Sequence, residues 1–111
     1  MPHAELKYSS DLAFDPVPML AEIEATILEH DAGAGTCKGR AYPTDLYHHT
    51  HIIVSISLLP KAHRDAAFLK ALSDDLEARI KTHLTQDCAF SLDLAFSGAS
   101  YVTNMHHAAR K

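Results

Sequence analysis

Residues 51–84 read HIIVSISLLPKAHRDAAFLKALSDDLEARIKTHL, and the change of rhythm inside them decides the fold. From His51 to Leu59 every second residue is apolar: Ile52, Val54, Ile56 and Leu58 share one face, Ser55 and Ser57 the other. A period of two is that of a half-buried strand. Pro60 closes it, because proline cannot donate to a ladder. Phe68, Leu72, Leu76 and Ile80 then recur every fourth residue, with Leu69 and Leu84 alongside, which predicts a helix over about 64–84. On it, Asp74, Asp75 and Glu77 read as a solvated face and His83 as a structural residue beside the apolar stripe. A further alternating run, Cys88 to Ser97, points Phe90, Leu92, Leu94 and Phe96 inward and Ser91 and Asp93 outward.

The first half of the chain repeats this order. His3 to Tyr8 alternates, with Ala4, Leu6 and Tyr8 on one side. Asp15 is placed to cap a helix, and Pro16 suits its first position, where a missing N–H costs nothing. Leu20, Ile23 and Ile27, widened by Met19 and Leu28, form its apolar stripe, while Glu22, Glu24 and Glu29 are expected in water. Gly33 is expected to end the helix in the left-handed conformation. Thr36 to Tyr42 alternates again, Cys37, Gly39 and Ala41 against Lys38, Arg40 and Tyr42, with Pro43-Thr44-Asp45 as its stop and a loop or hairpin to Thr50.

The order is therefore β-α-β followed by β-α-β. Strand-helix-strand crossovers are right-handed and join parallel strands. Both helices then lie on one face of a four-stranded sheet in an α+β fold. The other face is left bare, with Lys38, Arg40, Ser55, Ser57, Ser91 and Asp93 mixed with Ile53 and Ala95. That mixture suits packing between subunits.

Size and composition agree. A chain of 111 residues and 12.2 kDa implies one domain over 1–111. Its radius of gyration should be roughly 13 Å, and it has little surface to spare for a deep cleft of its own. The 47% hydrophobic and 22% charged fractions argue against disorder, and no apolar run is long enough for a membrane span. With no leader-like start at Met1, the cytoplasm is the expected compartment. A net charge of −4 disfavours nucleic acid. Cys37 and Cys88 fit no zinc spacing and are expected as buried thiols.

Three groups could carry chemistry. Removal of Met1 before a small residue would leave Pro2 with a free secondary amine. Desolvation or nearby cations would favour its neutral form, a competent general base. Arg40 on the bare face and Arg64 after the third strand could bind carboxylates bidentately. On the residues alone, surface solubility and ordinary ion pairing, for example of Arg64 with Asp65, is the favoured reading of both. Tyr42, one step along the face from Arg40, is a candidate substrate contact. His48, His49 and His51 sit on a loop without the spacing of a known metal or catalytic site. Glycine-rich phosphate loops and nucleophile elbows are missing.

Met1-Pro2-His3 running straight into a strand resembles the tautomerase superfamily, whose members use an amino-terminal proline as base. The segments Cys37-Lys38-Gly39-Arg40, Lys61-Ala62-His63-Arg64 and Ile80-Lys81-Thr82-His83 make the chain most similar to the 5-carboxymethyl-2-hydroxymuconate isomerase family over nearly its whole length. The resemblance implies a homotrimer packed around an axis by its bare sheet faces, and a mature chain beginning at Pro2. It implies a proton moved by Pro2 within an unsaturated 2-hydroxy or 2-oxo dicarboxylic acid of aromatic catabolism. Arg40 and Arg64 would bind its carboxylates and steady the dienolate, and no metal or organic cofactor is implied. The stretch between Arg40 and Ile52 is shorter than in the family, and the tail at Met105-His106-His107 has no counterpart there. A non-catalytic module of the same fold that binds a small ligand or a partner is the alternative.

Overall fold

A computed structural model describes residues 1–109. Its elements are β1 (His3–Ser9), α1 (Pro16–His30), β2 (Lys38–Thr44), β3 (His51–Leu58), α2 (Ala66–Lys81) and β4 (Ala89–Phe96). They form one sheet in the order β2-β1-β3-β4. The two outer pairs are parallel and the central pair, β1 with β3, is antiparallel. The expected α+β fold of two β-α-β units is present, with both helices covering one face.

The core lies between sheet and helices. Ala4 and Leu6 of β1, Ile52, Val54 and Ile56 of β3, Met19, Ile23 and Ile27 of α1, and Leu72, Leu76 and Ile80 of α2 are all almost fully buried. Close approach is needed at Gly39 of β2, where an added Cβ would lie 2.8 Å from Leu20 Cδ2. The sheet face opposite the helices is uncovered, so the molecule is a slab of 46 × 42 × 24 Å. Its radius of gyration of 15.3 Å exceeds that expected for a sphere-like chain of this length.

Several local readings are corrected. Asp15 caps α1 as expected, accepting from Val17 N at 3.0 Å. The helix, however, ends at His30: Asp31 still donates its N–H to Ile27 O at 2.9 Å, and its own extended backbone then breaks the turn. The left-handed glycine is Gly35 (φ 80°), not Gly33, because an Asp31 Oδ1 bond to Gly33 N already shapes the first part of the turn. Glu22 and Glu24 are half-exposed and also hydrogen-bonded: they accept from His83 Nε2 at 3.1 Å and Cys37 N at 2.7 Å. β2 runs through Pro43 to Thr44, which an edge strand allows because a missing N–H on its outer side breaks no ladder bond. α2 starts after its cap, Asp65, so Arg64 precedes the helix and His83 follows it. Cys37 and Cys88 are free but only half-buried. On β4, Phe90, Leu92 and Leu94 are half-buried and Phe96 is 42% exposed, since β4 is an edge that α2 covers only in part. The tail from Val102 to Ala109 forms no regular structure, and its basic end at 110–111 lies outside the described residues. Among the described residues no helix is long and apolar enough to cross a membrane.

Candidate active site

Pro2 sits at the head of β1. The ladder fixes it there: His3 pairs with Lys38 of β2 on one side and Ser57 of β3 on the other. The Pro2 carbonyl accepts from Lys38 N at 2.9 Å, and the residue is buried. Alternation turns His3, Glu5 and Lys7 to the uncovered face, and the same rule on β2 brings Arg40 beside them, opposite Glu5 in the parallel register. These side chains form one wall of a concavity of about 500 Å³. Ser55 and Ser57 of β3, Asp93 of β4 and Tyr101 of the tail complete it.

Its charges are matched internally. Arg40 Nη2 donates to Glu5 Oε1 at 2.7 Å, and Lys7 Nζ lies 3.3 Å from the other Glu5 oxygen. The hydrogen bond from Arg40, then that from Lys7, holds the Glu5 carboxyl below its ordinary pKa, and Glu5 in turn raises Arg40. Arg40 also lies 3.5 Å from His3 Nδ1 through Nη1. His3 Nε2 is 3.1 Å from the Tyr101 hydroxyl, which donates to the Met1 carbonyl at 3.3 Å.

Of the residues singled out from sequence, the structure brings together Pro2 and Arg40, linked through His3. Tyr42 is 46% exposed and lies further along β2, outside the concavity, with Lys7 Nζ 6.0 Å from its ring centre. Arg64 is elsewhere and occupied. Its side chain is 3% exposed. Nε and Nη2 donate to Asp31 Oδ2 at 3.0 and 2.7 Å, and Nη1 donates to the Leu59 carbonyl at 2.7 Å. The partner is thus Asp31 at the end of α1, not Asp65, whose carboxylate caps α2. His63 Nε2 joins the same Asp31 oxygen at 2.8 Å. The loop histidines make local contacts: His48 and His49 have ring centres 4.0 Å apart, and the His51 ring bonds the His49 carbonyl at 2.8 Å. Among the described residues no group of three or more potential ligands could hold a metal ion. Glu5 could be found from the alternation of β1. Tyr101 could not, since no pattern links the tail to residues some 100 positions earlier.

Two parallel β-α units joined through an antiparallel centre, with both helices on one face and a proline at the head of the first strand, make up a tautomerase-type fold. Solved structures carry the same fold. A 5-carboxymethyl-2-hydroxymuconate isomerase from Deinococcus radiodurans R1 is similar with a TM-score of 0.73 and 19% identity, over 96% of this chain and 90% of that one. A fused 4-OT, a wild-type symmetric trimer, is similar with a TM-score of 0.67 and 12% identity, over 83% of this chain and 82% of that one. A macrophage migration inhibitory factor-like protein from Entamoeba histolytica is similar with a TM-score of 0.64 and 13% identity, over 95% of this chain and 96% of that one. At these identities the likeness is one of fold. No protein-family model matches the sequence, and no curated protein matches it.

Proposed function

We propose that this chain is a cofactor-free isomerase of the tautomerase type, in which Pro2, freed by removal of Met1, is the general base. One observation carries the reading: in a fold similar to that of a 5-carboxymethyl-2-hydroxymuconate isomerase, Pro2 is buried at the head of β1, next in the chain to His3, whose side chain lines a concavity walled by Arg40. A buried secondary amine is desolvated, and desolvation favours the neutral, proton-accepting form. Pro2 takes a proton from one position of a conjugated 2-hydroxy or 2-oxo acid, the enol oxygen or a carbon, and returns it at another. Charge that develops on the acid is met by Arg40, whose guanidinium exchanges Glu5 for a substrate carboxylate.

Dicarboxylic acids of aromatic catabolism, handled in the cytoplasm, are the substrate class in this reading. Tyr42 then lies at the far side of the acid. Arg64 reaches a second carboxylate only by giving up Asp31, so its first part is to pin the end of β3, next to the head of β1. The whole chain acts as one domain, and three copies pack by their bare sheet faces with the concavity at the boundary between copies, as the flat slab and the trimeric 4-OT of the same fold support. A second reading, a non-catalytic binding module, draws on the pairing of both arginines inside the chain.

Substitution of Pro2 separates the two. Pro2→Ala should lower turnover of an enol acid such as phenylenolpyruvate by at least ~100-fold, the worth of a positioned general base, with the fold intact by circular dichroism. Full activity of Pro2→Ala would rule out the base; saturable binding of the acid without turnover by the unaltered chain would favour the module.

A further inference from the structure

The hydrogen bonds from Arg40 to Met1 have a direction. Arginine can only donate, so His3 Nδ1 is the acceptor of the 3.5 Å contact from Arg40 Nη1. The proton of a neutral imidazole is then on Nε2, which donates to the Tyr101 oxygen at 3.1 Å. With its lone pair engaged, the Tyr101 hydroxyl directs its own hydrogen outward, onto the Met1 carbonyl oxygen at 3.3 Å. That oxygen belongs to the peptide bond that acylates the Pro2 nitrogen. A donor held by two residues behind it therefore points at a carbonyl oxygen one bond removed from the carbon attached to the candidate base.

We propose that Tyr101 is a hydrogen-bond donor to the carbonyl or enolate oxygen of the substrate, with His3 as its positioning residue. The inference rests on the proposed function, since it takes the Met1 carbonyl as the stand-in for an oxygen of the substrate once Met1 is removed. Pro2 moves the proton from one position of the conjugated acid to another. Tyr101 keeps its own proton and stabilises the negative charge that grows on oxygen while the carbon acid is deprotonated, as oxyanion-hole donors do. A substrate with an acceptor oxygen on the carbon beside the acidic position, a 2-oxo or 2-hydroxy acid, fits this donor. An acid without one leaves the hydroxyl unpaired.

The test uses the full chain with Met1 removed, checked by intact mass, and phenylenolpyruvate as the probe. Tyr101→Phe should lower kcat on the order of 100-fold while KM moves little, because a donor to developing charge acts in the transition state. His3→Leu should lose about tenfold, the scale of one hydrogen bond, and His3→Gln, whose amide can accept from Arg40 and donate to Tyr101, should recover most of it. Unchanged kcat in Tyr101→Phe, with Pro2→Ala inactive, overturns the inference and leaves the proposed function standing. An active Pro2→Ala overturns the proposed function, and a mature chain without turnover overturns both.

Discussion

Arg64 carries a charge into the interior, and Asp31 is what makes that tolerable. Two hydrogen bonds join them, and the Leu59 carbonyl takes a third from the guanidinium. Removing the carboxylate charge strands the cation, so Asp31→Asn should destabilise the fold by about 3–5 kcal/mol in urea unfolding, the scale for breaking a buried pair. The His63 bond, then Arg64, depresses the Asp31 pKa from the ordinary 3.8 to about 2. A carboxyl with a depressed folded-state pKa stabilises fully above its unfolded value, and that contribution fades as pH falls through the folded one. The stability gap between the protein and Asp31→Asn should therefore narrow as pH falls from 4 to 2; a gap independent of pH in that window would count against the assignment. The sequence offers Asp65, the chain neighbour, as the partner of Arg64. Only the turn after α1 brings Asp31, 33 positions away, to the guanidinium. Tyr101 was hidden for the same reason: its partners, His3 and Met1, are 98 and 100 positions distant, and no local period records such contacts.

Elements were legible wherever one face is buried. The strict alternation of β1 and β3 and the four-residue repeat of α2 reflect a core that admits only apolar side chains, so those residues name their own structure. Element ends were less legible, because they depend on which side of the sheet is free. Pro43 reads as a stop for any central strand, and β2 tolerates it as an edge. The half-buried inner face of β4 has the same origin. At Gly39 the packing of β2 on α1 leaves no room: Gly39→Ala should cost about 1 kcal/mol and Gly39→Val about 2–3, since Leu20 can move its Cδ2 but its Cβ and Cγ stand 3.4 Å from the added atom. Equal melting temperatures of Gly39→Val and the unaltered chain would contradict this close packing of Leu20 on the strand.

At the scale of the whole molecule, a slab 24 Å thick with one bare sheet face carries ion pairs beside the exposed Ile53. Packed by these faces, three copies should sediment at three times the 12.2 kDa of one chain. Ile53→Asp should shift the species toward single chains in analytical ultracentrifugation, because an unpaired charge in a closed interface is costly; an unaltered monomer would contradict the trimer outright. The bare face could be read from the order of the elements alone, whereas the slab shape is seen only in the structure and the internal neutralisation of Arg40 by Glu5 only when the register of β1 with β2 is known. The central claim is that a free amine at Pro2 does the chemistry. It is tested most directly by measuring phenylenolpyruvate turnover on two preparations of the same chain, one whose intact mass shows Met1 removed and one that retains residues before Pro2. Turnover should be confined to the processed chain, with the extended one lower by at least ~100-fold. Equal turnover by both would contradict it, because an acylated Pro2 nitrogen has no basicity to offer.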